Sequence, residues 1–285
     1  MHELAFGMAT ATLSTHLLDG ALGELFIDIR SAGRTTPRPA VVVLHGFKGF
    51  KDWGMFPPFA ERLARAGVTA VSFNMSGSGV DATGECTLPD RFARDTYSAE
   101  LHDLAVVVSA LIGGRLGVVP PSSLGLVGHS RGGGIAILHA ARDGQVRALA
   151  TWAAIGTVER WDVATTRAWR ESGTLDVVNA RTGQVIPVRT DILDDIDENA
   201  AGLDIRAAAK RIEIPWLIVH GSADESVPVG EGERLAEASG RESTRLLVVP
   251  AAGHTFGAAH PWSPPVPAAE EVFDETVRFL SRTLA

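Results

Sequence analysis

The nine residues LVGHSRGGG (Leu126 to Gly134) end an apolar run and gather four glycines around one serine. Glycine is the costliest residue to order, so a cluster this dense needs a reason in backbone geometry. Within it, GHSRGG (Gly128 to Gly133) sets a serine between a strand pattern and a plausible helix, RGGGIAILHAARDG, which fits the G-x-S-x-G form of a nucleophile elbow. In such a turn Ser130 takes a strained backbone conformation, and side chains at Gly128 and Gly132 would collide with the neighbouring strand and helix. The strain is useful if it presents the serine Oγ at the carboxyl edge of a sheet, where the Arg131 N–H and the next helix N-terminus face a developing oxyanion. A phosphate loop or a plain turn is the competing reading, although the dinucleotide pattern G-x-G-x-x-G is absent.

The rest of the chain supplies a sheet for that elbow. GELFIDIR (Gly23 to Arg30) alternates apolar and polar residues as a half-buried strand does, and ATLSTHLL before it could pair with it antiparallel. AVVVLHGF (Ala40 to Phe47) is continuously apolar, as a strand covered on both faces must be. VTAVSFN, SLGLVGHS, VRALATWAA, PWLIVHG and RLLVVP repeat that character at Val68, Ser123, Val146, Pro215 and Arg245. Between them, Tyr97, Leu101, Leu104, Ala105, Val108, Leu111 and Ile112 share one helix face, as do Phe273, Val277, Leu280 and Leu284. Glu270 and Glu271 open that last helix and Arg278 and Arg282 close it, matching its dipole. Strands alternating with such helices predict an α/β fold with a mostly parallel, doubly covered sheet in one domain spanning residues 1–285. One segment, about 155–213, breaks the alternation and reads as a cap inserted between two core strands.

A serine hydroxyl near its ordinary pKa is a poor nucleophile, so an elbow needs an acid and then a histidine further along the chain. VHGSADESVP (Val219 to Pro228) puts Asp224 on the loop after one buried strand, and PAAGHTF (Pro250 to Phe256) puts His254 on the loop after another. Glu225 is the alternative acid and His260 the rival histidine. A second oxyanion donor is expected on the loop after the first buried strand, where LHGFKGFKDWG offers the Phe47 N–H. Trp161 and Trp169 in the inserted segment are candidates for an aromatic wall against substrate, with packing onto the sheet as the alternative. Arg131 and Lys48 would either attract an acidic substrate or lie solvated. The five acids between Asp191 and Glu198 read as a wet surface.

Composition removes other classes. The net charge of −8, from 34 acidic and 26 basic residues, comes with no dense Lys/Arg cluster, which argues against nucleic acid as a partner. The single cysteine, Cys86, excludes an intramolecular disulfide, a Cys-based metal cage and a CxxC redox pair. No apolar run approaches the roughly 20 residues that span a bilayer, and the N-terminus lacks a basic and then apolar leader. The expectation is a soluble, cytoplasmic protein without a membrane partner, either monomer or homodimer.

HGFKG, GHSRGG, HGSADESVP and AGHTF, in this order, resemble the α/β-hydrolase superfamily. Within it the chain is similar to the dienelactone-hydrolase-like and bacterial cinnamoyl or feruloyl esterase branches, but Ser130 stands where true dienelactone hydrolases carry a cysteine. The resemblance implies a Ser130–His254–Asp224 triad, an oxyanion hole of the Phe47 and Arg131 amides, no metal or organic cofactor, and a small-molecule ester as substrate. Lyase, perhydrolase, acyltransferase, peptidase and non-catalytic binding functions are the alternatives on the same fold.

Overall fold

A strand buried on both faces has no side open to water, so it must be apolar throughout. The computed structural model, which describes residues 11–33, 35–179 and 183–285, places every residue of β3 (Ala40–Leu44), β4 (Thr69–Phe73), β5 (Leu124–His129) and β9 (Trp216–Gly221) out of solvent. Together with β1 (Thr12–Asp19), β2 (Glu24–Ser31), β6 (Val146–Trp152) and β10 (Thr244–Val249) they form one sheet of order β1-β2-β4-β3-β5-β6-β9-β10. The β1–β2 and β2–β4 pairings are antiparallel, and the remainder are parallel. This is the mixed, largely parallel α/β architecture of the α/β-hydrolases.

Helices cover both faces. On one side α1 (Phe56–Arg65) and α9 (Pro267–Thr283) pack Phe59, Leu63, Phe273 and Leu280 against Val41, Val43, Trp152 and Leu217. On the other, α3 (Tyr97–Ile112), α4 (Arg131–Ala140) and α8 (Gly230–Ser239) bring Leu104, Leu111, Ile137 and Leu235 onto Val42, Leu126 and Ile218. After the short α2 (Pro89–Ala93), the start of α3 is fixed by Thr96, whose side chain accepts from the Ala99 N–H at 3.1 Å. The connection from β3 returns through α1 to one side, and the connection from β5 runs through α4 to the other. The carboxyl ends of β3 and β5 therefore flank a switch point, where a crevice opens in sheets of this kind.

Between β6 and β9 the chain leaves the sheet through α5 (Val163–Ser172), a hairpin of β7 (Thr174–Val178) and β8 (Val185–Arg189), α6 (Asp191–Glu198) and α7 (Ile205–Ala209). The hairpin was not legible in the sequence, because its five-residue strands bury only alternate positions and β8 carries Pro187. The acidic run is also more than a wet surface. It forms α6, which buries Ile192, Leu193 and Asp195, and the Asp195 carboxylate accepts from the Ser98 N–H at 3.0 Å and from Asn199 Nδ2 at 2.9 Å. Asp194 and Asp197 both bind Arg170 of α5. Among the described residues no helix is long and apolar enough to cross a membrane.

Candidate active site

The backbone at the end of β5 explains the glycines. Ser130 has φ 56° and ψ −120°, outside the regions open to an L-residue without strain. A Cβ on Gly128 would lie 2.3 Å from the Gly132 carbonyl oxygen, and one on Gly132 would lie 2.2 Å from the His45 carbonyl oxygen. Both are impossible contacts, so the strand, the turn and the first residues of α4 can close up only without side chains there. A Cβ on Gly46 would come within 2.9 Å of the Ser130 Cβ, so the loop after β3 is drawn equally close.

The loops after β9 and β10 bring two more side chains to that corner. His254 Nε2 lies 3.0 Å from Ser130 Oγ, and His254 Nδ1 lies 2.8 Å from Asp224 Oδ2. Asp224 is buried, and its other oxygen accepts from the Ser226 and Val227 N–H groups at 2.9 Å each. Burial pushes its pKa up, but hydrogen bonds from His220, His254 and the Val227 amide outweigh that and hold the carboxyl well below the usual range. An ionised Asp224 can only accept, so Nδ1 of His254 carries the proton and Nε2 is free to accept from the serine hydroxyl. A chain ordered in this way can take the Oγ proton as the oxygen attacks an electrophile.

The rival residues are otherwise engaged. Glu225 points into solvent. His260 accepts from the Gly54 N–H at 3.0 Å and packs between the rings of Phe50 and Trp53. Two further histidines brace the corner, a role not visible in the sequence. His45 holds its Nδ1 2.9 Å from the Gly46 carbonyl and accepts the Met75 N–H on Nε2 at 3.2 Å. Burial lowers its pKa to about 4, so the neutral ring serves as a fixed strut. His129, lowered to about 3 by burial and the neighbouring His254, holds the His254 carbonyl at 2.9 Å through Nε2.

Two cavities meet at Ser130 and His254. The first, about 230 Å³, is walled by Phe47, Phe50, Trp53, Phe56 and Phe92, with Val177, Asn179 and Ile186 of the inserted hairpin region on its far side. The second, about 310 Å³, is lined by Tyr97, Arg131, Ile155, Arg160, Trp161 and Val227. Lys48 borders both, and among the described residues no Asp or Glu lines either.

Two expectations change here. Trp169 lines neither cavity: it is 1% exposed, its indole N–H donates to the Val188 carbonyl at 2.9 Å, and its ring meets Trp161 edge-on. An indole buried with its N–H satisfied belongs to the packing of the inserted segment. Trp161 does reach the second cavity. Arg131 is neither solvated nor free to attract an acidic substrate, because it is 4% exposed and paired with Asp95 and Glu100. Its amide, at the first position of α4, lies outside the helix's own hydrogen-bond ladder, as a donor to an oxyanion must. Among the described residues no group of His, Cys, Asp and Glu side chains is arranged to hold a metal ion.

The chain is similar to known proteins in sequence and in fold. A family model described as serine aminopeptidase, S33, matches residues 35–178. The 2,6-dihydropseudooxynicotine hydrolase of Paenarthrobacter nicotinovorans is 24% identical over 217 residues, which cover 74% of this chain and 51% of that protein, so the chain spans about half of that relative's length. Among solved structures, Est1E from Butyrivibrio proteoclasticus with ferulic acid bound superposes with a TM-score of 0.67 at 18% identity, covering 94% of this chain and 98% of that one. A dienelactone hydrolase from Anabaena variabilis gives 0.62 at 16% identity, covering 97% of this chain and all of the other (100%). At such identities these structures share the fold.

Proposed function

The chain belongs to the serine aminopeptidase S33 family of α/β-hydrolases, and from that premise we propose that it cleaves carboxylic esters by an acyl-enzyme route on Ser130. The observation that carries this reading is the continuous path from Asp224 through His254 to Ser130, with separations of 2.8 and 3.0 Å. In the proposed reaction His254 Nε2 takes the Oγ proton as Ser130 attacks the ester carbonyl. The Phe47 and Arg131 amides hold the resulting oxyanion, each such donor being worth about 10²–10³ in rate. Collapse breaks the ester C–O bond, and the alcohol leaves with the proton from His254. Water then attacks the acyl-enzyme by the same path and frees the acid.

The two cavities divide the substrate between them. The aromatic cavity suits a short apolar or aryl acyl group, consistent with the ferulic acid that Est1E binds. Residues about 155–213 act in this reading as a cap, since Val177, Asn179 and Ile186 close the first cavity and Arg160 and Trp161 the second.

The family's name raises the aminopeptidase alternative. A substrate with a free α-ammonium calls for a carboxylate beside the nucleophile, yet among the described residues none lines these cavities, and of the cations that do, Arg131 is paired with Asp95 and Glu100 and Arg160 with Glu231. That lining favours an ester without a free ammonium. The test is hydrolysis of p-nitrophenyl acetate, longer p-nitrophenyl esters and methyl ferulate beside amino-acid p-nitroanilides. Ester turnover should fall by about 10⁶ in Ser130→Ala. Faster anilide than ester cleavage would establish the peptidase instead, and no fluorophosphonate labelling of Ser130 would leave a binding module.

A further inference from the structure

We propose that the Arg131 side chain is a positioning residue that locks the two oxyanion donors into one rigid unit, an inference that rests on the ester-hydrolase reading. Its own amide is one of those donors. Its guanidinium also reaches back to the other: it lies 5.3 Å from the centroid of the Phe47 ring and 4.2 Å from that of Tyr97. Phe47 is also held by Phe92, whose ring stacks on it with centroids 5.1 Å apart. Two carboxylates fix the cation in place, Asp95 Oδ2 at 3.2 Å and Glu100 Oε1 at 3.1 Å, and all three side chains are 5% exposed. The loop after β3, the residues leading into α3 and the first residue of α4 thus meet at one planar group.

Stability is a poor reason for this arrangement. A buried arginine between two carboxylates gives up the hydration of three ions, and well-packed apolar residues often replace such clusters without loss of stability. What an arginine supplies and an apolar side chain does not is fixed geometry. Its planar guanidinium lies within ion-pair distance of two carboxylates while it sits over two aromatic rings. Geometry matters here because an oxyanion hole works only if its donors stand about 2.7–3.1 Å from the oxygen that becomes negative. Tyr97 extends the brace, its hydroxyl donating to the Val158 carbonyl at 3.2 Å where the inserted segment begins. Burial raises the pKa of both Asp95 and Glu100, and the opposing charge of Arg131 offsets that only in part, so the cluster is held at a cost that its geometry has to justify.

The experiment uses the full chain with p-nitrophenyl acetate. Wild type and Ser130→Ala come first, because no Ser130-dependent turnover would overturn the ester-hydrolase reading and this inference with it. Given turnover, Arg131→Lys and Phe47→Leu are compared by kcat, KM, thermal midpoint, active sites titrated with a fluorophosphonate, and inhibition by an aryl trifluoromethyl ketone, whose adduct carries the oxyanion. Phe47→Leu leaves the ion pairs intact and removes a ring that also walls both cavities, so a change in KM alone reports the lost wall, and a matched fall in kcat per site and ketone affinity reports the coupling if the lysine variant fails to fold. The expected result is kcat per titrated site about 10- to 100-fold lower, KM within about threefold, and ketone inhibition weakened by the same factor as kcat. Fewer titratable sites with kcat per site and ketone affinity unchanged would mean that Arg131 only holds up the fold, and would overturn the proposal.

Discussion

Asp224 and Glu100 are about equally hidden from water, at 7% and 4% exposed, yet the first is held below the usual carboxylate range and the second is pushed well above it. Burial raises both. Asp224 sits in a tight turn where two backbone N–H groups and two imidazoles point at its oxygens. Glu100 shares its one cation, Arg131, with Asp95, and the neighbouring carboxylates Asp95 and Asp103 push its pKa further up. Two imidazoles and the backbone amides converging on one carboxylate overcome desolvation; a cation divided between two acids does not. The two regions therefore treat charge differently: the Asp224 turn keeps a charge ready beside a base, and the Arg131 corner uses charge to hold a shape.

The largest test of that contrast is Asp224→Asn, which should lower kcat by about 10⁴ because the amide fits the turn but favours the wrong tautomer of His254, with a fall in thermal midpoint at neutral pH from the lost contribution of the ionised carboxylate. A loss that large from Glu100→Gln would erase the distinction between the regions.

The next test is stability against pH. The folded-state pKa of Asp224 is depressed, so its contribution is fully present above its ordinary value of 3.8 and is lost as pH falls through the lower folded value. The folded-state pKa of Glu100 is raised, so its contribution is present below its ordinary value of 4.5 and is lost as pH rises through the folded value. In thermal melts from pH 3 to pH 9, Asp224→Asn should remove part of the acid-side loss, and Glu100→Gln should gain on wild type as pH climbs. Parallel curves for Glu100→Gln and wild type would mean that Arg131 keeps Glu100 ionised throughout. The smallest effect is expected from Glu225→Gln, whose exposed side chain lies beside Asp224 in sequence only, with kcat/KM within about twofold of wild type and stability within about 0.5 kcal/mol.

Much of this was legible in the chain. The six apolar runs became β3, β4, β5, β6, β9 and β10, although β10 lies at the sheet edge and is partly exposed rather than covered on both faces, and the seven positions read as one helix face fall within α3. The pattern around Ser130 and the order Ser130, Asp224, His254 were readable because sharp turns after buried strands demand particular small residues at fixed offsets. The environment of Arg131 was not readable. Nothing near it in sequence announces Asp95 and Glu100, and an arginine beside a serine looks the same whether it faces water or a buried acid. Trp161 and Trp169 were equally alike as letters, but only Trp161 reaches a cavity at Ser130. The β7–β8 hairpin was lost for a third reason, since half-buried five-residue strands carry too few apolar positions to mark a period.

By itself the sequence determined the layered α/β sheet, the strained turn at Ser130 and the loops that carry Asp224 and His254, because hydrophobic periodicity and glycine placement act over a few residues and leave local marks. Tertiary structure alone decided which tryptophan lines a cavity, which histidines are neutral struts, and that Arg131 is clamped between two acids. Those outcomes depend on burial and on partners drawn from distant parts of the chain, and a side chain's charge and contacts are set by what surrounds it in space.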